Sequence, residues 1–372
     1  MKIAYCIRPE YKNGGDGVQA IKTKENIEKA HTDISIDILT EPSELKLEYD
    51  LVHIFNYATT DLTRAFFQKA ASLGLKIVSS PVFWDYSYSM VPFMQLIRFN
   101  KSFITEDYVQ RQQKVSRWLS SIPIAKLQLI YNNVSKKFRN NIRAFIKQSE
   151  LILPNSMEEG EKCCDYSGAP ESWKSKIRVV YNGVDVSGVE IVGKEAFFRK
   201  YGLPDNYVLQ VGRLEYLKNA LNLIGALMDY PEIPIVFVGN DRGSEKYSAQ
   251  LRKMSQKRGN VFFISNVPHD EIYSFYRYAK VHVLLSMRES PGLVSLEALS
   301  QGCPIVVSDE RFCPVKTYFG EQCEIVNPYD KEAIGEAVLH SMKKPHITVD
   351  LSRFSWEVVA RQTMDAYKEV LG

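Results

Sequence analysis

The sequence predicts an α/β protein built from two parallel-sheet domains in tandem, and three observations carry that prediction. The chain has 372 residues, beyond the length at which a single hydrophobic core keeps growing. Short β-branched and apolar runs alternate with amphipathic stretches, the pattern of strand–helix–strand units that pair in parallel. The alternation pauses near the middle of the chain, at "YNGVD" (181–185), and then begins again.

In the first half, strands are expected at "KIAYCI" (2–7), "SIDILT" (35–40), "LVHIF" (51–55), "LKIVSS" (75–80) and "ELILPN" (150–155). In the second they are expected at "YVLQVG" (207–212), "IPIVFVG" (233–239), "NVFFIS" (260–265), "KVHVLLS" (280–286), "CPIVVS" (303–308) and "CEIVN" (323–327). The Asn-Gly pair at 182–183 is a turn signal and puts the hinge at about 182–195. Domains of 1–185 and 186–355 follow, both Rossmann-like. Open parallel sheets bind ligands beyond the C-terminal ends of their strands, so two such sheets facing each other make a cleft.

Composition narrows the class. Apolar residues at 45% and charged residues at 24% lie in the globular range and exclude a disordered chain. The longest apolar runs, such as "VHVLLSM" (281–287), fall well short of the roughly 20 residues of a membrane-spanning helix. "MKIAYCIRPE" lacks the longer apolar core and cleavage site of a secretory signal, so a cytoplasmic protein is expected. Six cysteines without a C-x-x-C suit reduced core thiols rather than a metal site.

Charge is uneven. Segment 93–148 holds eleven Lys/Arg against Glu106 and Asp107, a net +9 in a chain of net +3, so the remainder carries −6. An anionic partner is implied. Apolar residues from Leu127 to Phe145 recur at helical spacing among Lys136, Lys137, Arg139, Arg143 and Lys147. Such a stripe either rests on an anionic membrane surface, as a peripheral contact on its cytoplasmic face, or packs on the first domain's sheet. Nucleic acid is not an expected partner, since no nucleic-acid module is recognisable.

Candidate chemistry follows the strands. In "YVLQVGRLEYLKN" (207–219), Gly212, Arg213 and Lys218 stand between a strand and an apolar helical run. Backbone N–H groups, a helix N-terminus and two cations there suit a diphosphate, although two solvated surface cations fit the same letters. Gly14, Gly15 and Gly17 after the first strand either let the backbone approach an anion or form a plain turn. In "MRESPGLVSLEALSQG" (287–302), Glu289 lies in a strand-end loop and Glu297 one to two turns into a helix. Pro291 and Gly292 compact the loop, and the N–H groups of Gly292, Leu293 and Val294 lie at that helix's N-terminus. Glu289 alone reads as a dipole-favoured loop carboxylate and Glu297 as a solvated one. Leu293, Leu296 and Leu299 argue instead for a buried helix, whose carboxylate wants hydroxyl donors such as those of a sugar.

Taken together, the glycine loop "NGGDG", "DLVHIF", "SELILPNS", "VVYNGVD", "VGRLEYLKN", "IVFVGND" and the E-x7-E of "ESPGLVSLE" before "EALSQGCPIVVSD" resemble the GT-B glycosyltransferases of family 4, over nearly the whole chain. The resemblance implies a retaining enzyme that moves a sugar from a nucleotide-diphosphate sugar to a saccharide or lipid-linked acceptor, in surface polysaccharide or glycolipid synthesis. It implies that Arg213 and Lys218 hold the donor diphosphate, Glu297 the ribose hydroxyls and Glu289 hydroxyls of the transferred sugar. Backbone groups of Pro291, Gly292, Leu293 and Val294 would cradle that sugar, Val267 in "SNVPHD" would meet the base, and Gly14 and Gly15 would lie on the donor. The final segment, about 356–372, resembles the family's terminal helix, which returns to the first domain.

One departure stands out. The His that many family members carry after the strand matching "KIVSS" is absent from "SSPVFWDYSY", where Trp84, Asp85 and Tyr86 stand instead. Asp85 could accept a proton or a sugar hydroxyl, and it equally fits a turn or cap. No D-x-D occurs, so neither a metal nor another cofactor is expected. Two other classes share these features: a GT-B-fold sugar-nucleotide epimerase, which the full E-x7-E argues against, and a non-catalytic nucleotide-sugar or glycan-binding subunit.

Overall fold

The structure, a computed structural model, describes residues 1–85, 126–185, 189–241 and 245–372. It divides into two compact units. Met1–Asp85, the described residues up to Val184, and Ser352–Gly372 form unit 1, and Asp185–Leu351 belongs to unit 2.

Unit 1 holds strands β1 (Lys2–Cys6), β2 (Ser35–Leu39), β3 (Leu51–Phe55), β4 (Ile77–Ser80) and β5 (Leu151–Ile152), and helices α1 (Gly15–Ala30), α2 (Thr60–Ser72), α3 (Lys126–Gln148) and α4 (Met157–Ser167). The strands form one parallel sheet in the order β2-β1-β3-β4-β5. Every residue of β3 is buried, as expected where helices cover both faces of a sheet and strands read as unbroken apolar runs. The order reverses between β1 and β3, which is the crevice where open sheets bind ligands.

Unit 2 holds β6 (Val208–Val211), β7 (Ile235–Val238), β8 (Val261–Ile264), β9 (Val281–Leu284), β10 (Ile305–Ser308) and β11 (Cys323–Val326), with helices α5 (Lys194–Tyr201), α6 (Ala220–Ala226), α7 (Glu245–Arg258), α8 (His269–Tyr278), α9 (Leu293–Ser300) and α10 (Lys331–Ser341). Its six parallel strands run β11-β10-β9-β6-β7-β8, so the reversal falls between β6 and β9. Val208, Phe237, Val281, Val283 and Val306 from the sheet pack with Leu221, Leu223, Ile224 and Ile334 from the helices.

The last helix, α11 (Trp356–Leu371), belongs to unit 1 and packs against α1. Trp356, Val359, Met364 and Tyr367 join Ile3, Tyr5, Ala20 and Ile27 in its core. The Tyr367 hydroxyl donates to that of Tyr5 (2.9 Å) and lies 2.6 Å from Nδ1 of His53, whose Nε2 meets Ser80 Oγ at 2.8 Å. Burial lowers the His53 pKa to about 3, so this imidazole is a neutral core group. Gly183, read in the sequence as half of a turn, serves packing: a Cβ there would stand 2.4 Å from the Trp356 ring.

In the described part of the basic segment, Ile142, Phe145 and Ile146 of α3 are buried, and Phe145 stacks on Phe67 of α2 with centroids 4.8 Å apart. This end of the apolar stripe faces unit 1's own core. Lys136, Lys137, Arg139, Arg143 and Lys147 are exposed, and residues 93–125 lie outside the described residues.

Candidate functional site

The two loops flanking the unit 2 switch point carry the sequence-predicted charges. β6 gives way to Gly212, whose φ of 139° only glycine adopts readily. Gly239 follows the neighbouring β7 at φ 147°, and a Cβ on it would stand 2.0 Å from the Gly212 carbonyl oxygen. A Cβ at Gly212 would meet only the Lys218 methylenes, at an ordinary contact distance of 3.7 Å, so it is the backbone conformation rather than space that requires glycine there.

After Gly212 the chain exposes Arg213, which pairs with Glu215 at 2.9 Å, and buries Leu214. A single 3-10 turn, Tyr216–Lys218, leads into α6. Its backbone is pinned: Gln210 donates to the Lys218 carbonyl at 2.9 Å, and Asn219 and Asn222 both donate to the carbonyl of Pro328, at 2.8 and 2.7 Å. The Lys218 side chain, 16% exposed, is ion-paired with the carboxylate of Glu289, 13% exposed.

Glu289 arrives from the other side of the switch point. Beyond β9, the Met287 N–H donates to Leu217 O and the Glu289 N–H to Phe312 O, both at 2.8 Å. A cis Ser290–Pro291 bond and Gly292 at φ 93° then open α9. Glu297 lies on the second turn of α9, where the Tyr276 hydroxyl of α8 donates to its Oε2 at 2.8 Å. Its Oε1 lies 4.0 Å from Nε2 of His269. Burial raises the Glu297 carboxyl above its ordinary pKa, against the pull of the His269 charge and the Tyr276 hydrogen bond. Between these groups, His282 of β9 is fully buried, with no hydrogen-bond partner for its ring nitrogens among the described residues. It packs edge-on against Tyr276 with centroids 5.4 Å apart. Burial and the Lys218 charge lower its pKa to about 3.

The structure thus gathers Arg213, Lys218, Glu289, Pro291, Gly292, Leu293, Val294 and Glu297 around the ends of β6 and β9. Val267 is half-buried, one residue before Pro268, which caps α8. His269 is the first residue of α8. Tyr276 and His269 carry no motif that marks them as partners of Glu297. They stand seven residues apart, two turns along one helix face, and that spacing was the available signal.

Gly14, Gly15 and Asp85 belong to unit 1. Gly14 caps and Gly15 opens α1. A Cβ on Gly14 would stand 2.2 Å from Arg8 Nη2, and one on Gly17 would stand 1.8 Å from Tyr11 O. These glycines therefore let the first turn of α1 close against the preceding chain. Asp16, only 6% exposed, receives Arg8 Nε and Nη2, both at 2.8 Å, and Asn56 Nδ2 at 2.9 Å. This cluster joins the loops after β1 and β3 at unit 1's own switch point, and no sequence motif pointed to it. Burial raises the Asp16 pKa, but the Arg8 and Asn56 hydrogen bonds and the Arg8 charge outweigh it and leave a net lowering. Asp85 is half-buried, next to Trp84, which is 2% exposed and lies under the Lys162 ammonium, 4.9 Å from the ring centroid; Tyr86 lies outside the described residues. Among the described residues no three His, Cys, Asp or Glu side chains converge in a metal-ligating group.

Residues 193–354, almost the whole of unit 2, match the family model described as glycosyl transferases group 1. An uncharacterized glycosyltransferase of Methanocaldococcus jannaschii is 25% identical over 281 residues, 67% of this chain and 68% of that protein. O-antigen chain mannosyltransferase B of Escherichia coli is 28% identical over 184 residues, 46% of this chain and 48% of the relative. D-inositol 3-phosphate glycosyltransferase of Streptomyces avermitilis is 25% identical over 245 residues, 60% and 52% of the two chains. The match therefore spans about half the length of these last two relatives. Among solved structures, sucrose-phosphate synthase from Thermosynechococcus elongatus superposes with a TM-score of 0.70 at 15% identity, over 99% of this chain and 98% of that one. Anabaena Alr3699/HepE in complex with UDP and glucose gives 0.70 at 15% identity, over 99% of both chains. These likenesses establish the fold, two parallel-sheet α/β units of the GT-B class.

Proposed function

We propose that the protein is a retaining, metal-independent glycosyltransferase that moves a sugar from a nucleotide-diphosphate sugar to a saccharide or lipid-linked acceptor. One observation carries the reading. Two cations, Arg213 and Lys218, follow β6 and two carboxylates, Glu289 and Glu297, follow β9, on either side of the switch point of the unit that matches the group 1 family model, and Lys218 pairs with Glu289 across it. A diphosphate needs the first pair and a polyhydroxylated sugar or ribose the second.

In this reading Arg213 and Lys218 take the diphosphate and stabilise the charge that grows on it as it leaves. Glu297 receives ribose hydroxyls and Glu289 hydroxyls of the transferred sugar, with Pro291, Gly292, Leu293 and Val294 lining the sugar and Val267 near the base. The bond from the anomeric carbon to the diphosphate oxygen breaks. The acceptor oxygen bonds that carbon from the same face, and the acceptor's proton passes to the departing oxygen. Gly14 and Gly15 are proposed as donor-binding residues and Asp85 as a catalytic one. The fixed cations do the work a divalent ion would do elsewhere, so no cofactor is required.

The name of one relative, an O-antigen chain mannosyltransferase, supports a glycan acceptor, while that of another, D-inositol 3-phosphate glycosyltransferase, names a small phosphorylated polyol. Binding of UDP-glucose by Alr3699/HepE, and of UDP and glucose by the same protein, supports a nucleotide-sugar donor. The exposed cations of α3 fit a peripheral contact between segment 93–148 and the cytoplasmic face of an anionic membrane. Among the described residues, no helix is long and apolar enough to cross a membrane. The test is release of nucleoside diphosphate from UDP-, GDP-, ADP- and dTDP-sugars in EDTA, with lipid-linked saccharides as acceptors. Turnover that Glu289→Ala and Lys218→Ala abolish sustains the proposal; turnover unchanged in both variants refutes the site assignment.

A further inference from the structure

Both groups assigned to the donor's diphosphate are already paired with carboxylates, Arg213 with its near neighbour Glu215 and Lys218 with Glu289 of the site. Arg213 holds Glu215 in an exposed pair, its own side chain 57% exposed. Lys218 holds Glu289 in a sheltered one, 16% and 13% exposed. The backbones of both partners are fixed: the Lys218 carbonyl by Gln210, and the Glu289 N–H by Phe312 O. Neither can follow a displaced partner far.

Resting on the reading above, we propose that the Lys218–Glu289 pair makes the site discriminate between a nucleoside diphosphate and its sugar conjugate. A bare diphosphate that takes Lys218 leaves Glu289 without its cation, half-buried and beside new negative charge. That is unfavourable twice, once for desolvation and once for like-charge repulsion. A diphosphate carrying a sugar brings hydroxyls that donate to Glu289 in place of Lys218, so the carboxylate stays satisfied. Once the sugar has passed to an acceptor those donors leave with it. Glu289 then recaptures Lys218 and weakens the hold on the leaving diphosphate. The same carboxylate therefore serves donor recognition and product release, by a single exchange of partners.

The experiment is calorimetric titration in EDTA of wild type, Glu289→Gln and Glu289→Asp with UDP, GDP, ADP and dTDP and with UDP-glucose, GDP-mannose, ADP-glucose and dTDP-glucose. The quantity read is the ratio of the nucleoside diphosphate Kd to the sugar-conjugate Kd for the best-bound base. Glu289→Gln keeps the shape and one acceptor oxygen, exchanges the other for an amide donor, and removes the charge that holds Lys218. The ratio is expected to fall by about tenfold in Glu289→Gln, chiefly through tighter diphosphate binding, with Glu289→Asp between it and wild type. Diphosphate binding by Glu289→Gln where wild type shows none would support the proposal equally. If both ligands tighten together and the ratio is unchanged, the carboxylate acts only as a nearby charge and the proposal is overturned, while the donor reading stands. If neither wild type nor Glu289→Gln binds any of the eight ligands, the donor reading itself fails.

Discussion

The Tyr276 hydroxyl donates to Oε2 of Glu297 over 2.8 Å, from a helix that packs beside α9. That bond occupies one carboxylate oxygen and leaves Oε1 to meet a ligand hydroxyl. Tyr276 is fully buried, so it fixes the direction in which Glu297 points. Tyr276→Phe is expected to weaken donor binding about fivefold, as loss of one hydrogen bond of ~1 kcal/mol implies. The check is the Kd for the ribose donor against its 2′,3′-dideoxy analogue: the penalty should appear with the first and vanish with the second.

Glu297 should lower stability where it aids binding. Burial raises its pKa in the folded chain, above the ordinary glutamate value of about 4.3. Its contribution to stability is therefore present below that ordinary value and lost as pH rises through the raised one. Glu297→Gln keeps an acceptor for Tyr276 and removes the titration. The ligand-free variant should melt above wild type at pH 7, and the difference should shrink towards pH 4, while donor affinity falls. Thermal melts from pH 4 to 8 read the first effect and donor titration the second.

Asp16 behaves in the opposite sense. Its pKa is lowered overall by Arg8 and Asn56 despite burial. Its contribution is present above the ordinary aspartate value of about 3.9 and lost as pH falls through the lowered one. Arg8→Ala leaves an almost fully buried carboxylate without its cation and should destabilise unit 1 by up to ~3 kcal/mol at neutral pH. Asp16→Asn should cost less, since no charge is stranded. Urea unfolding at pH 5 and 8 checks the sign: in Arg8→Ala, stability should fall as pH rises.

Gly239 and Gly212 meet where β7 and β6 end. Gly239→Ala drives a Cβ into a backbone oxygen at a φ that side chains rarely adopt, so a cost of ~3 kcal/mol is expected. Gly259→Ala, at φ 75° with open space around it, should cost about 1 kcal/mol. Urea midpoints compare the two. Gly239→Ala should also weaken donor binding, because the displaced Gly212 carries Arg213.

Much of this was legible in the letters. β-branched runs marked the strands because buried parallel strands need no polar face, and "LVHIF" becomes β3 with every residue buried. The charges of the site were legible because loops after parallel strands must hold the chemistry, and Arg213, Lys218, Glu289 and Glu297 do flank the switch point. Partnership was not legible. That Lys218 rests on Glu289, 71 residues away, depends on strand order, which periodicity does not encode. Arg8, Asp16 and Asn56 meet for the same reason. Gly183 shows a subtler limit: an Asn-Gly pair signals a turn, while here the glycine makes room for Trp356 from the far end of the chain.

In the proposed site, the unit 2 switch point binds a nucleotide-diphosphate sugar through Lys218 without a metal. Isothermal titration of wild type and Lys218→Ala with UDP-, GDP-, ADP- and dTDP-sugars in EDTA tests it most directly. One donor is expected to bind wild type, and Lys218→Ala, still folded by circular dichroism, to bind it at least about tenfold more weakly. Equal affinity in the two proteins, or binding that appears only when a divalent ion is restored, would contradict it.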